Sequence, residues 1–177
     1  MKNQKALFLD RDGVINVDHG YVSKREAFEF TEGIFELLKH YLQEGYLLFI
    51  VTNQSGIGRG YYTLDDFQTL TQWMLEVFEA KEIAIQKVAY CPHAPEKNCH
   101  CRKPKTGMIE EIVKAYPVDL SASWLIGDKQ SDIDLATHAN IPHTIAIGNH
   151  EISGASYQFA SISACYRFLK ENPNLTK

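Results

Sequence analysis

The chain has 177 residues, enough for one domain with a full-sized core, and its 45% hydrophobic and 23% charged residues are ordinary for a globular protein. A formal charge of -4 argues against a general nucleic-acid binder, which carries a basic excess or stripe. No apolar run reaches the length of a membrane span, and the stretch after Met1 to Lys5 is too short for a signal peptide, so a cytoplasmic location is expected.

Lys5 to Leu9 is a short apolar run suited to a buried strand, and it ends in Asp10-Arg11-Asp12-Gly13. Strand ends are where open α/β sheets hold ligands. Gly13 breaks the strand, so Asp12 can fold back over whatever Asp10 attacks, one acting as nucleophile and the other as acid and base. The alternative is a turn with two solvated aspartates. Two carboxylates this close repel unless a cation lies between them or one is protonated, so the pair also points to a hard cation such as Mg²⁺. Residues 17–32 read as a polar loop lining the site, with Asp18, His19 and Tyr21 as candidates. Ile34, Leu37, Leu38, Tyr41 and Leu42 recur at helical spacing before Gly45.

Tyr46 to Val51 predicts a second strand, followed by Thr52-Asn53-Gln54-Ser55-Gly56-Ile57-Gly58-Arg59-Gly60. Small polar groups and glycines there suit backbone contact with an anion, although a flexible glycine loop explains them equally well. Thr63 and Asp66 form a capping box for a helix whose buried face is Phe67, Leu70, Trp73, Met74, Val77 and Phe78.

A third strand, Ile83 to Tyr90, leads into the loop 91–101. Its Cys91, His93, Cys99 and Cys101 can close a Cys₃His tetrahedron around a structural Zn²⁺, with His100 a rival ligand that points away. Arg102-Lys103-Pro104-Lys105 follows, a basic knot in which Lys103 can neutralise charge on a transferring phosphoryl group. Thr106 can cap a helix with Ile109, Ile112, Val113 and Tyr116 inward. Ser123 to Ile126 predicts a fourth strand ending in Gly127-Asp128-Lys129, where Asp128 supplies a further metal ligand. Asp132, one helical turn on, either orients that ligand set or only caps a helix. A helix ending near Asn140, a fifth strand Thr144 to Ile147, and a closing helix Phe159 to Leu169 with Cys165 buried complete the expectation.

Asp10-Arg11-Asp12-Gly13, Thr52, Lys103 and Gly127-Asp128 with Asp132, in that order, resemble the haloacid dehalogenase-like (HAD) superfamily over nearly the whole chain. The zinc loop and residues 53–60 are similar to its zinc-containing histidinol-phosphate and heptose bisphosphate phosphatases, and Asp18-His19-Gly20-Tyr21 with Arg59-Gly60 look more like the heptose 1,7-bisphosphate 7-phosphatases. The five residues between His93 and Cys99 are fewer than that group often shows. The resemblance implies one α/β domain over residues 1–177: a Rossmann-like parallel sheet of about five or more strands, helices on both faces, and no large cap domain. It implies attack by Asp10 to give an aspartyl-phosphate, with Asp12 as acid and base. Asp10, the Asp12 carbonyl and Asp128 would hold Mg²⁺. Thr52 and Lys103 would steady the phosphoryl group. Asp18, His19, Gly20, Tyr21, Asn53, Gln54, Ser55, Gly56, Arg59, Arg102 and Lys129 would bind substrate, a phosphorylated sugar on the route to ADP-heptose and lipopolysaccharide core. A monomer is the default.

Arg59 and Arg102 suit a second, non-reacting phosphate, which favours a bisphosphate. Histidinol phosphate is the rival substrate, for which Asp18 and Glu26 could face the amine. A nucleic-acid 3′-phosphatase should carry a basic track that the net charge argues against. A non-catalytic zinc-stabilised binding module would have no need of both Asp10 and Asp12.

Overall fold

The computed structural model describes residues 2–177. Six strands form one parallel sheet in the order β3-β2-β1-β4-β5-β6: β1 (Ala6–Leu9), β2 (Leu47–Asn53), β3 (Ile85–Cys91), β4 (Trp124–Gly127), β5 (His143–Ile147) and β6 (Tyr157–Phe159). The helices are α1 (Ile34–Gln43), α2 (Ser55–Gly58), α3 (Leu64–Ala80), α4 (Gly107–Ala115), α5 (Gln130–His138) and α6 (Ile162–Glu171).

β1 shows why a continuous apolar run becomes a central strand. All four of its residues are buried. Alternate side chains point to opposite faces. Leu7 and Leu9 join Leu48, Ile50, Trp124 and Ile126 under α1, α3 and α6, whereas Ala6 and Phe8 join Phe49, Val51 and Leu125 under α4 and α5. Each of the leucine, isoleucine, valine and phenylalanine side chains contributes about 1.5–3 kcal/mol by leaving water, so the two layers clamp the sheet and fix its register. Leu9 pairs with Ile50 on one side and Ile126 on the other. The segments that follow β1, β2 and β4 therefore emerge side by side at one edge. The Thr63–Asp66 capping box is present at the start of α3, where each side chain satisfies a backbone N–H of the first turn.

The structure departs from the sequence reading in three places. Tyr157–Phe159 is a sixth strand, not the start of the closing helix. Tyr157 stacks 6.2 Å from Trp124, Phe159 packs against Phe168, and the Ser161 side chain caps α6 by accepting from Ala164 N–H at 3.1 Å, so the helix starts at Ile162. Thr106 does not cap α4. Its hydroxyl donates to Glu110 Oε1 at 2.6 Å, and the buried face is Met108, Ile109 and Ile112 with Val113 exposed. Finally, Gly56 and Gly58 do not form a flexible loop. They lie in α2, where a Cβ on Gly56 would sit 2.2 Å from the Tyr62 ring and one on Gly58 2.8 Å from Pro92 O. Among the described residues no helix is long and apolar enough to cross a membrane.

Candidate active site

A cleft of about 330 Å³ opens at the C-terminal ends of the strands, lined by residues that include Asp10, Asp12, Asn53, Gln54, Arg102 and Lys103. Asp10 follows β1 and is buried; its Oδ1 accepts from Arg11 N–H and from Lys103 Nζ, each at 2.9 Å. Lys103 Nζ donates also to Asp132 Oδ1 at 2.7 Å and to the Val51 carbonyl at 2.9 Å. An ammonium that makes three such bonds in the interior is fully satisfied and aimed. Burial disfavours the Lys103 charge, but Asp10 and Asp132 outweigh it and hold the ammonium above the usual lysine range. Asp10 is likewise opposed by burial and kept below its ordinary value by Lys103, so its carboxyl is held ionised.

Asp128 faces the same point from the end of β4. Gly13, with φ of 92°, is what lets it approach: a Cβ there would lie 2.1 Å from Asp128 Oδ2. Burial first, and then the charge of Asp10, push the Asp128 carboxyl up to about 8. Its Oδ1 is buried and has no hydrogen-bond partner. Two facing carboxylates with an unpartnered buried oxygen suit a hard cation that takes oxygen ligands. Asp132 belongs to the same acidic cluster, but both its oxygens are committed: Oδ1 to Lys103, and Oδ2 to the N–H groups of Asp128 at 3.2 Å and Lys129 at 3.1 Å. Its role is to aim Lys103 and cap α5, which leaves Asp10 and Asp128 for the cation. His150 Nε2 braces the Asp128 carbonyl at 2.6 Å.

This geometry sets a pH dependence. A carboxyl raised from 3.8 to about 8 binds more protons folded than unfolded, so its stabilising contribution is lost as pH rises through that interval. In EDTA the melting temperature should fall between about pH 4 and about pH 8, the interval between the unfolded and folded values, and Mg²⁺ should flatten that slope by replacing the proton. A slope unaffected by Mg²⁺ would remove the cation from this position.

The loop after β3 brings Cys91, His93, Cys99 and Cys101 together, their ligand atoms all within 4.8 Å of one another and the cysteines unbridged. Cys99 Sγ lies 3.4 Å from Cys91 Sγ and 3.6 Å from Cys101 Sγ, and His93 Nδ1 lies 3.3 Å from Cys101 Sγ. Cys101 Sγ lies 2.6 Å from Cys91 Sγ, shorter than the tetrahedral edge of about 3.7 Å that Zn–S bonds of about 2.3 Å require, so the donor set suits Zn²⁺ once those two sulfurs spread apart. His100 turns away to Glu110 at 2.9 Å. The loop grips both flanks of the cleft. The Cys91 carbonyl accepts from Gln54 N–H and the Pro92 carbonyl from Gly58 N–H, both at 2.8 Å, while Cys101 leads directly into Arg102 and Lys103.

Of the other residues singled out in the sequence, Asp18, Gly20, Tyr21, Ser55 and Lys129 also line the cleft. Thr52 is buried beneath it and accepts from Gln54 Nε2 at 2.9 Å. His19, Gly56 and Arg59 stand outside the lining: His19 pairs with Glu29 at 2.9 Å, and Arg59 reaches back to Ser55 at 3.4 Å on an exposed turn. Tyr62 and Ser131 line the cleft without having been anticipated. The residue-type pattern offered only the second tyrosine of Tyr61-Tyr62 as a signal for the first of these.

Comparison with known proteins bears directly on this site. The family model described as "Polynucleotide kinase 3 phosphatase" matches residues 7–164. The chain belongs to that family. Within it, the relatives are heptose bisphosphate phosphatases. A D-glycero-beta-D-manno-heptose-1,7-bisphosphate 7-phosphatase of Helicobacter pylori is 50% identical over 148 residues, 83% of this chain and 86% of the relative. A D-glycero-alpha-D-manno-heptose-1,7-bisphosphate 7-phosphatase of Campylobacter jejuni is 46% identical over 168 residues, 94% and 96% of the two chains. The crystal structure of D,D-heptose 1,7-bisphosphate phosphatase from B. bronchiseptica complexed with magnesium and phosphate superposes with a TM-score of 0.83 at 25% identity, covering 95% of this chain and 99% of that one. This member of the family is therefore a phosphatase of the HAD type, an α/β enzyme that hydrolyses a phosphate monoester.

Proposed function

We propose that this chain, acting as a single domain over residues 1–177, removes the 7-phosphate from D-glycero-D-manno-heptose 1,7-bisphosphate through an aspartyl-phosphate. The observation that carries the reading is the convergence of Asp10, Asp12, Lys103 and Arg102 on one cleft, in a chain whose relatives at 41–50% identity have names of that activity. Asp10 attacks phosphorus, and the bond to the sugar oxygen breaks as Asp12 protonates it. Asp12 then takes a proton from the water that releases phosphate. Lys103, aimed by Asp132 and the Val51 carbonyl, turns its third donor from Asp10 to the phosphoryl oxygens as Asp10 bonds phosphorus, and offsets the negative charge that develops there. Thr52 lies beneath the cleft, where its hydroxyl supports Gln54. A Mg²⁺ held by Asp10, Asp128 and the Asp12 carbonyl would neutralise phosphoryl charge and orient the group for in-line attack. Zn²⁺ on Cys91, His93, Cys99 and Cys101 would be structural. Reduced thiols in such a cluster fit the cytoplasm, and a monomer completes the site from one chain.

Arg102 supports the bisphosphate. It lines the cleft, and its Nη1 is buried without a partner. A guanidinium with a free donor suits a non-reacting phosphate. The rival cationic substrate loses ground on the same geometry, because the Asp18 carboxylate at the cleft mouth already has Lys129 Nζ 3.8 Å away and Glu26 is outside the lining. Phosphate release with Mg²⁺ from heptose 1,7-bisphosphate and from histidinol phosphate, side by side, should show a large kcat/KM preference for the bisphosphate. Arg102→Ala should raise KM for the bisphosphate at least about tenfold more than for an aryl phosphate. Preference for histidinol phosphate, or equal effects of Arg102→Ala, would reject the substrate assignment.

A further inference from the structure

Asp12 is held by donors on both oxygens. Oδ1 accepts from Arg11 Nη2 at 2.9 Å and from Asn16 Nδ2 at 3.1 Å, whereas Oδ2 accepts only from Gln54 Nε2, at 3.1 Å. Arg11 is itself buried, and its guanidinium is fixed between the rings of Phe28 and Phe67, 5.8 and 6.0 Å from their centroids. An ionised carboxylate oxygen accepts about two hydrogen bonds in its plane. Oδ1 is therefore occupied, and Oδ2 keeps one lone-pair direction open towards the cleft.

What holds Oδ2 is a chain of three side chains. Gln54 is buried and donates from Nε2 to both Asp12 Oδ2 and Thr52 Oγ1, while its Oε1 accepts from the Tyr62 hydroxyl. An amide is nearly symmetric in shape, so its partners decide which end faces which. Tyr62 takes the acceptor end, which leaves the donor end for Asp12. The Tyr62 ring is seated on Gly56, where no Cβ would fit. Burial holds its hydroxyl up at about 12, so it remains a donor at neutral pH.

We infer that Tyr62 is a positioning residue which, through Gln54, fixes Asp12 so that Oδ2 is the oxygen that delivers and removes the proton. The inference rests on the acid and base role proposed for Asp12. In the first half-reaction the O–H bond on Oδ2 breaks as its proton passes to the sugar oxygen leaving phosphorus. In the second, Oδ2 takes a proton from water as the water oxygen bonds phosphorus and the bond from phosphorus to Asp10 breaks.

The test is the leaving-group dependence of Tyr62→Phe. kcat/KM reports steps up to release of the first product, and p-nitrophenolate leaves phosphorus without needing a proton whereas a sugar alkoxide does. Tyr62→Phe, which keeps the ring on Gly56, should lower kcat/KM for heptose 1,7-bisphosphate about tenfold and for p-nitrophenyl phosphate at least about fivefold less. Gln54→Leu, which removes the donor from the other end, should show the same split and serves if Tyr62→Phe does not fold. Equal losses on the two substrates would overturn the inference, since a merely structural defect acts on both. Asp12→Asn run in parallel separates the two levels. If it splits the substrates and the Tyr62 and Gln54 variants do not, only the positioning role fails; if it does not split them, the acid role fails as well.

Discussion

Asp10→Asn should abolish phosphate release, by a factor on the order of 10⁴ or more, while the protein remains folded. An amide oxygen cannot form the aspartyl-phosphate, and neither Asp12 nor Asp132 is free to take over. Asp12 is tied to Arg11, Asn16 and Gln54, and Asp132 to Lys103 and two backbone N–H groups. The fold should tolerate the change because Lys103 keeps Asp132 and the Val51 carbonyl, so no buried cation is left unpaired. Removing the charge of Asp10 also relieves Asp128 of the neighbour that raises it. The check is phosphate release and a thermal melt on the same preparation. A wild-type melt with more than about 1% of activity remaining would reject Asp10 as the nucleophile.

Loss of the proposed zinc site should produce the largest change in stability. The purified protein should carry roughly one zinc per chain, and in Cys101→Ser that zinc should be absent and the melting temperature lower by about 10 °C or more. A loop of prolines, lysines and asparagine buries little apolar surface of its own, so the metal ligands supply most of what holds it. The damage would spread, because the loop's carbonyls anchor Gln54 and Gly58 and its last cysteine adjoins Arg102 and Lys103. Activity should fall with the metal and not return on adding Mg²⁺. Metal analysis alongside calorimetry decides the matter: a zinc-free variant with an unchanged melt and full turnover would show the cluster to be incidental.

The parts of this site that were readable in the sequence are those where chemistry and local geometry sit in adjacent residues. Asp10 and Asp12 follow an apolar run and precede a glycine, and the cysteines cluster within one loop; both signals are short-range. Strand ends gave Thr52 and Asp128 for the same reason. Tyr62 was not readable, because its value depends on α2 turning the chain back so that a ring eight residues on reaches the Gln54 carbonyl. Arg11 was hidden differently: between two aspartates nothing in the local sequence marks it as buried, and only the meeting of Phe28 and Phe67 around it makes it an interior cation. The glycines at 56 and 58 have a cause the local sequence does not show, since close contacts with Tyr62 and Pro92 leave no room for a Cβ at either. β6 escaped because three residues carry too little alternation to outweigh a neighbouring helical pattern.

The sheet order acts as a ruler for the chemistry. Parallel strands lie about 4.8 Å apart, held by backbone hydrogen bonds that no surface substitution touches. Because β2, β1 and β4 are consecutive neighbours, the spacing among Thr52, Asp10 and Asp128 is set by that repeat. The loop of residues 17–32 lies outside that repeat and brings Asp18, Gly20 and Tyr21 to the cleft wall, whereas Arg102 shares its segment with Lys103. Exchanging residues 17–32 between phosphatases of this architecture should therefore redirect which molecule is hydrolysed without rebuilding the machinery that hydrolyses it.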